Sequence, residues 1–304
     1  MDIYSKLNLS SFSLEKLYKL ALKLCSVTNF FYYHPQFGKP NLIEDDILNC
    51  VIFRLDDVPY DLPIYDKSLI DIHLAIMDVF SKKNQNLTLG VVVRYLEVHQ
   101  NLLEYILQGH RRGIFELALH GWDHHDYSKL SKLDQERSLL RANTKMLEIF
   151  GVSSKIFIPP YNEFNRSTIG VLKQLGIKII SSSVYSDYHR YFVGKQTRKD
   201  SKNYQIYHLP EMASFESFQG MKLIRIPLER IISTVEHHIS MYGYAIITLH
   251  PQSFAKFTEG KSTQPSLKQS KLDINQINEL DALIQNILDR NIRIKSFSKV
   301  TGIE

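Results

Sequence analysis

Cysteine is scarce in this 304-residue sequence: Cys25 and Cys50 are its only two, and no CxxC pair occurs. So small a number argues against a disulfide scaffold and fits a reducing compartment. No run of about 18 apolar residues is present, which argues against a membrane-spanning helix. The N-terminal stretch MDIYSKLNLSSFSLEKLYKL lacks the basic start, apolar core and cleavage site of a secretory signal. We therefore expect a cytoplasmic protein.

A strong charge of either sign is also missing. The formal net charge is +5, which suits anionic partners such as phosphates or lipid headgroups but is too weak to indicate nucleic acid. A helix over Leu14 to Leu24 would place Lys16, Lys19 and Lys23 on one face, a pattern compatible with peripheral contact with an anionic bilayer. The alternative is an amphipathic helix docked on the protein itself.

Short β-branched runs alternate with longer amphipathic stretches along most of the chain. The predicted strands are 50–55, 87–93, 114–120, 154–159, 177–183, 204–208, 222–226, 244–250 and 292–297. The predicted helices are 67–83, 97–112, 132–150, 165–175, 229–241 and 274–290, with a polar insert at 191–203 and a surface loop at 251–272. This order indicates an α/β domain of parallel strands covered by helices.

Unusual polar residues follow four of these strands. They are Asp56 and Asp57, His120, the Pro159-Pro160-Tyr161 stretch, and His250. In a parallel barrel the carboxyl ends of all strands lie on one rim, so loops there can bring distant residues around a substrate.

A tight histidine cluster lies in the sequence HGWDHH, where His120 and His124 are four residues apart and His125 follows. Two imidazoles and one carboxylate leave positions of a zinc-like ion open, which is typical of a hydrolytic site. Adjacent strand residues point to opposite faces, so Asp56 and Asp57 can share that site only if the strand ends at them. Turn-forming aspartates and hydrogen-bonded or surface histidines are the alternatives. We predict that Asp123, Asp126 or Glu116 accepts the second ring N–H of a ligand histidine and so fixes its tautomer.

The motifs RLDD, HGWDH, FIPPYN and ITLHPQ, in this order over about residues 50 to 300, resemble those of the polysaccharide deacetylases with the NodB-like fold. The RLDD and HGxxH forms resemble a divergent branch of that family. The resemblance implies a distorted (β/α) barrel, which we place at residues 46–304, and we expect an N-terminal helical extension at 1–45. It also implies a divalent metal, expected to be zinc, and removal of acetyl from an N-acetylated amino sugar.

Carried over position by position, the resemblance makes Asp57, His120 and His124 the metal ligands. Asp56 becomes the general base and His250 the general acid. The backbone N–H of Tyr161 would stabilise the oxyanion, and Leu249 with Ile247 would line the acetyl pocket.

The arginine that precedes the family's Pro-Pro-Tyr motif is missing, because Ile158 stands at that position. Arg54 lies two residues before Asp56, on the same face of an extended strand, and we predict that it replaces the missing arginine by pairing with Asp56 or with another carboxylate at the rim. Replacing it with alanine should then reduce turnover but not metal content; an arginine that is merely ion-paired or exposed is the alternative. Trp122 is either a sugar contact or a wedge that fixes the loop. Asn162 is expected to bind sugar hydroxyls or to form a turn.

Two other functions use the same residues: a non-catalytic carbohydrate-binding barrel, and a metal hydrolase of another amide or ester. For a cytoplasmic deacetylase, a biosynthetic precursor such as an undecaprenyl-phosphate-linked N-acetylhexosamine is the expected substrate, by analogy. The basic residues between Lys195 and Lys202 could hold it at the inner membrane face.

Overall fold

A computed structural model describes residues 49–59, 68–183, 206–219, 222–256 and 271–303. The predicted extension at 1–45, including Leu14 to Leu24, lies outside the described residues, as does the basic stretch from Lys195 to Lys202. Both therefore stay predictions.

The alternation of strands and helices is confirmed. The helices are α1 (Ser68–Lys83), α2 (Gln100–Arg111), α3 (Lys132–Phe150), α4 (Arg166–Gln174), α5 (Leu228–Tyr242), α6 (Ile274–Asp289) and α7 (Phe297–Thr301). The strands are β1 (Cys50–Val58), β2 (Leu87–Val91), β3 (Phe115–Leu119), β4 (Ile156–Phe157), β5 (Ile179–Ile180), β6 (Tyr207–His208), β7 (Ala213–Ser214), β8 (Glu216–Gln219), β9 (Lys222–Arg225), β10 (Tyr244–Leu249), β11 (Ala255–Lys256), β12 (Lys271–Leu272) and β13 (Arg293–Ile294).

Two predicted segments differ from the structure. The strand expected at 292–297 is only the two-residue β13, because the Ser296 hydroxyl accepts a hydrogen bond from the Lys299 N–H and starts α7. The surface loop expected at 251–272 begins with a 3-10 turn at Pro251–Phe254 and contains β11, which pairs with β12.

The main sheet is parallel and runs in the order β6-β5-β4-β3-β2-β1-β10-β7, with β13 also beside β1. Its two ends belong to one extended segment, Tyr207 to Ser214, which pairs with β5 through β6 and with β10 through β7. The sheet path thus returns on itself. This confirms the predicted distorted (β/α) barrel.

Every residue of β1 is buried, as expected for a strand covered on both faces. Phe53 and Leu55 belong to the apolar layer between the sheet and the helices, whereas Cys50 and Ile52 belong to the barrel interior. By the two-residue period, Arg54 and Asp56 also face the interior. Burial raises the pKa of the free Cys50 thiol to about 11, so this cysteine stays protonated at neutral pH.

Candidate metal centre and active site

The end of β1 is irregular at the two aspartates. The pairing with β2 shifts register between Leu55 and Val58, and Asp57 has a left-handed backbone with φ of 60°. Aspartate is among the few residues that tolerate this conformation. The His73 ring nitrogen Nε2 lies 2.9 Å from the Asp57 carbonyl oxygen, within hydrogen-bond distance. The irregularity breaks the strict alternation of faces, so both carboxylates can belong to one site.

The three predicted metal ligands come together at the barrel rim. Asp57 Oδ1 lies 3.0 Å from His120 Nε2 and 2.8 Å from His124 Nε2. One ligand atom from each residue lies within 4.8 Å of the others. Asp57 and His120 are buried, and His124 is partly exposed, so the cluster is closed on the protein side and open at the rim.

The tautomer of His120 shows that this cluster suits a cation. His120 Nδ1 lies 2.7 Å from the Ile158 carbonyl oxygen, which can only accept, so Nδ1 carries the proton in a neutral ring. The lone pair of Nε2 then faces the Asp57 carboxylate at 3.0 Å. Two lone pairs this close repel each other unless a proton or a cation lies between them. The donor set is also the one that zinc prefers in catalytic sites.

The electrostatics agree with this interpretation. Burial alone would raise the pKa of Asp57, but the hydrogen bonds and charges of His120 and His124 outweigh it and place that pKa well below its usual value. Burial alone would lower the pKa of His120, but the hydrogen bond and charge of Asp57 raise it. Each partner thus favours the charged form of the other, which is the pattern of a site that holds positive charge against a carboxylate.

The prediction that Asp123, Asp126 or Glu116 fixes an imidazole tautomer was wrong for His120, because the Ile158 carbonyl does so. Asp123 pairs with Arg94, and Asp126 accepts hydrogen bonds from Ser128. Glu116 accepts hydrogen bonds from Thr88 and from the first N–H groups of α7. Their side chains are occupied elsewhere.

Asp56 lies beside the cluster with its two oxygens in different surroundings. Oδ2 is 3.0 Å from Arg54 Nη2 and 3.9 Å from His250 Nε2. Oδ1 is buried and has no hydrogen-bond partner among the described residues. Gly90 leaves room beside it, since the Cβ atom of any other residue at position 90 would lie 3.3 Å from this oxygen. A buried carboxylate oxygen without a donor is suited to accept a proton.

His250 lies between two carboxylates. Its Nε2 faces Asp56, and its Nδ1 lies 3.9 Å from Glu216 Oε1, while Glu216 itself is almost fully buried. Glu216 was not predicted, since it stands in a part of the sequence with no recognisable motif.

The predicted pairing of Arg54 with Asp56 is present in the structure, and the Arg54 side chain is fully buried. Nη1 donates to the carbonyl and the hydroxyl oxygens of Ser181 at 2.9 and 2.8 Å. Nη2 donates to Asn162 Oδ1 at 2.8 Å and lies 3.1 Å from Glu211 Oε2. Arg54 thus connects the ends of four chain segments around the barrel interior.

We expect Arg54→Lys to lower kcat about 100-fold at nearly unchanged metal content, because an ammonium cannot reach this set of acceptors together. Arg54→Ala should in addition cost about 3–5 kcal/mol of stability, since it leaves the buried Asp56 carboxylate without its charged partner. Urea unfolding, metal analysis and acetate release measure the three quantities. Loss of metal from the lysine variant would show that Arg54 is needed to build the metal site.

Tyr161 and Asn162 both have left-handed backbones, with φ of 58° and 57°. The Tyr161 ring lies edge-on to His124 with centroids 4.5 Å apart, and its side chain is exposed at the rim. The Asn162 amide bridges Arg54 and Glu211. The oxyanion role of the Tyr161 N–H and a sugar contact of Asn162 stay predictions.

The remaining predicted residues lie further from the cluster. Trp122 packs against the outer apolar layer, with the Arg141 guanidinium 3.8 Å from its ring centroid. Ile247 and Leu249 are fully buried in the same layer, beside β1 residues Phe53 and Leu55. A sugar contact of Trp122 and an acetyl pocket lined by Ile247 and Leu249 stay predictions.

Comparison with known proteins relates part of this chain to a family. Residues 50–180 match the family model described as polysaccharide deacetylase. This match confirms, for this part of the chain, the resemblance to the polysaccharide deacetylases that its motifs indicate. The matched range contains Asp56 and the three metal-ligand candidates, and it ends before His250. The divergent branch suggested by the RLDD and HGxxH motifs stays a prediction.

Solved structures share the fold of this chain at low identity. A peptidoglycan N-acetylglucosamine deacetylase is 12% identical, with 84% of this chain and 90% of that chain covered and a TM-score of 0.54. A family 4 acetyl xylan esterase from Clostridium thermocellum, solved with cobalt, is 15% identical over 84% and 91%, with a TM-score of 0.51. A pseudoenzyme from Bacillus anthracis is 12% identical over 87% and 67%, also with a TM-score of 0.51.

Proposed function

We propose that the protein is a metal-dependent de-N-acetylase that removes acetyl from an N-acetylated amino sugar, with zinc held by Asp57, His120 and His124. One observation supports this most directly: the three ligand atoms converge beside Asp56 and His250, whose Oδ2 and Nε2 atoms are 3.9 Å apart. A metal site, an acceptor and a donor of protons thus occupy one rim. This combination is what amide hydrolysis at neutral pH requires.

When bound, a divalent ion would supply a Lewis acid for the acyl carbonyl and would lower the pKa of attacking water. Asp56 Oδ1 accepts the proton of that water as its oxygen attacks the acyl carbon. The Tyr161 N–H donates to the carbonyl oxygen as negative charge develops on it. His250 Nε2 then gives a proton to the leaving nitrogen, the C–N bond breaks, and acetate and a free amine result.

The pairing of base and acid favours catalysis over mere sugar binding. A binding barrel has no need of a buried carboxylate and an imidazole placed 3.9 Å apart beside a set of metal ligands. The identity of the acyl bond is a separate question, since a deacetylase and an acetyl esterase are both among the proteins of this fold. An amine is a poorer leaving group than an alcohol, so His250 matters more for an amide than for an ester.

For the substrate we propose a lipid-linked precursor, an undecaprenyl-phosphate-linked N-acetylhexosamine, met by the protein in the cytoplasm or at the inner membrane face. The mildly basic composition supports an anionic ligand. Within the described ranges, no helix is both long and apolar enough to cross a bilayer. The membrane contact that we propose is peripheral. Greater cosedimentation with anionic than with neutral vesicles would support it.

Acetate release from N-acetylhexosamine substrates, with and without chelator, tests the proposal. We expect release that chelation abolishes and zinc restores. His250→Ala should lose amide hydrolysis by about 100-fold or more but keep hydrolysis of 4-nitrophenyl acetate, whose leaving group needs no proton. Ester hydrolysis without any amide hydrolysis in the wild type would assign the protein to the esterases, and no hydrolysis of either would favour the binding barrel.

A further inference from the structure

Glu211 lies where the barrel closes, on the segment from Tyr207 to Ser214 that joins the two ends of the sheet. Its backbone N–H donates to the Ser182 carbonyl, and the residue pairs with Ser183 in a parallel bridge. Its side chain points back to the site and is 24% exposed. The carboxylate is thus held by sheet pairing at a fixed place on the rim.

The Glu211 carboxylate closes a ring with Arg54 and Asn162. Oε2 lies 3.1 Å from Arg54 Nη2, Oε1 accepts from Asn162 Nδ2 at 2.9 Å, and Asn162 Oδ1 accepts from Arg54 Nη2 at 2.8 Å. The five polar atoms that form the ring each have a partner within it, whereas Arg54 Nε, which lies outside the ring, has no hydrogen-bond partner among the described residues. The ring fixes the plane of the guanidinium in a way that a single ion pair would not.

Arg54 Nη2 carries two hydrogens, yet it has three acceptors within 3.1 Å: Asn162 Oδ1, Asp56 Oδ2 and Glu211 Oε2. Two carboxylates therefore share one amino group of a fully buried arginine. The position of Arg54 relative to Asp56 depends on Glu211, since removing one acceptor redistributes the two hydrogens over the others.

We propose that Glu211 is a positioning residue of the active site: through Arg54 it sets the placement of the Asp56 carboxylate beside the metal ligands. It touches no reacting atom. This inference rests on the proposed hydrolysis, but the Arg54–Glu211 contact on which it depends can be measured without a substrate.

The test is a double-mutant cycle of Glu211→Gln with Arg54→Lys. Glutamine keeps the size of the side chain, but its single oxygen can accept a hydrogen bond from only one of the two donors, Arg54 Nη2 or Asn162 Nδ2. We expect Glu211→Gln to lower kcat about 10- to 100-fold with KM and metal content unchanged, because the acceptor of the proton is misplaced. In the Arg54→Lys background the same change should have little further effect. Glu229→Gln, at an exposed position in α5, is the matched control and should behave as the wild type.

A wild-type kcat for Glu211→Gln, an equal loss in both backgrounds, or loss of metal would each overturn the proposal. Urea unfolding of the same four proteins gives the coupling of Arg54 and Glu211 in stability. If the wild type itself releases no acetate, the proposed hydrolysis has failed; coupling in unfolding would then still support the placement of Arg54 by Glu211, and its absence would refute it.

Discussion

Asp57→Ala should leave the purified protein without its divalent ion and without activity. Asp57 is the one carboxylate of the ligand set, and its Oδ1 faces both histidine Nε2 atoms. A zinc site worth about 10–16 kcal/mol, divided over three protein ligands, loses about 3–5 kcal/mol with one of them, or a factor of roughly 100 to 4,000 in affinity. Metal analysis after gel filtration measures this, and His124→Ala should behave in the same way.

The neighbouring histidine provides the control. His125 is largely exposed, and its Nδ1 lies 3.8 Å from Asp123 and not in the ligand cluster. His125→Ala should therefore keep its metal. Full metal occupancy in Asp57→Ala, or loss of metal from His125→Ala, would refute the ligand set.

The metal-free protein should also show a pH-dependent difference between the wild type and Asp57→Ala. The lowered pKa of Asp57 stabilises the fold above the unfolded value of 3.8, and the raised pKa of His120 stabilises it below the unfolded value of 6.5. The Asp57–His120 pair therefore gives its full stabilisation between pH 3.8 and pH 6.5. This stabilisation is lost as the pH falls through the pKa of Asp57 in the folded protein, or rises through that of His120. Urea unfolding in the presence of chelator measures that window.

Asp56→Asn should abolish most of the turnover while the metal stays bound. Asparagine fills the same space, but its amide cannot take the proton of the attacking water. General-base catalysis contributes about 100- to 10,000-fold, so kcat should fall by that range with KM almost unchanged. The fold should persist, because Glu211 remains as a negative partner for Arg54.

The comparison of Asp56→Asn with Asp57→Asn separates the two adjacent roles. Asp56→Asn should keep its metal and lose its activity, whereas Asp57→Asn should lose both. A metal-free Asp56→Asn would exchange the two assignments, and activity within a few-fold of the wild type would remove Asp56 as the base.

The metal cluster could be predicted from the sequence because its signals are local. His120 and His124 share one loop directly after β3, and Asp57 lies next to the last residue of the fully buried strand β1. Parallel strands bring such ends together whatever lies between them. The alternation of apolar runs was likewise sufficient for most helices and strands.

The supporting contacts could not be predicted in the same way. The carbonyl of Ile158 fixes His120 from 38 residues away, and a backbone carbonyl has no signature in a sequence. Arg54 meets Ser181 and Glu211 over separations of 127 and 157 residues. Glu211 can be recognised in the sequence YHLPEM as a polar residue of the rim, but its contact with Arg54, like that of Ser181, follows only from the closure of the barrel.

The position of Arg54 has a consequence for how such chains are recognised. The interior of a barrel can be reached from every strand, so a guanidinium beside the base can come from β1 as readily as from the loop after β4. A pattern search that requires an arginine immediately before Pro159 would classify this chain as degenerate. A search in three dimensions, asking for a guanidinium nitrogen near the Asp56 carboxylate, would retain it with the 3.0 Å contact seen here.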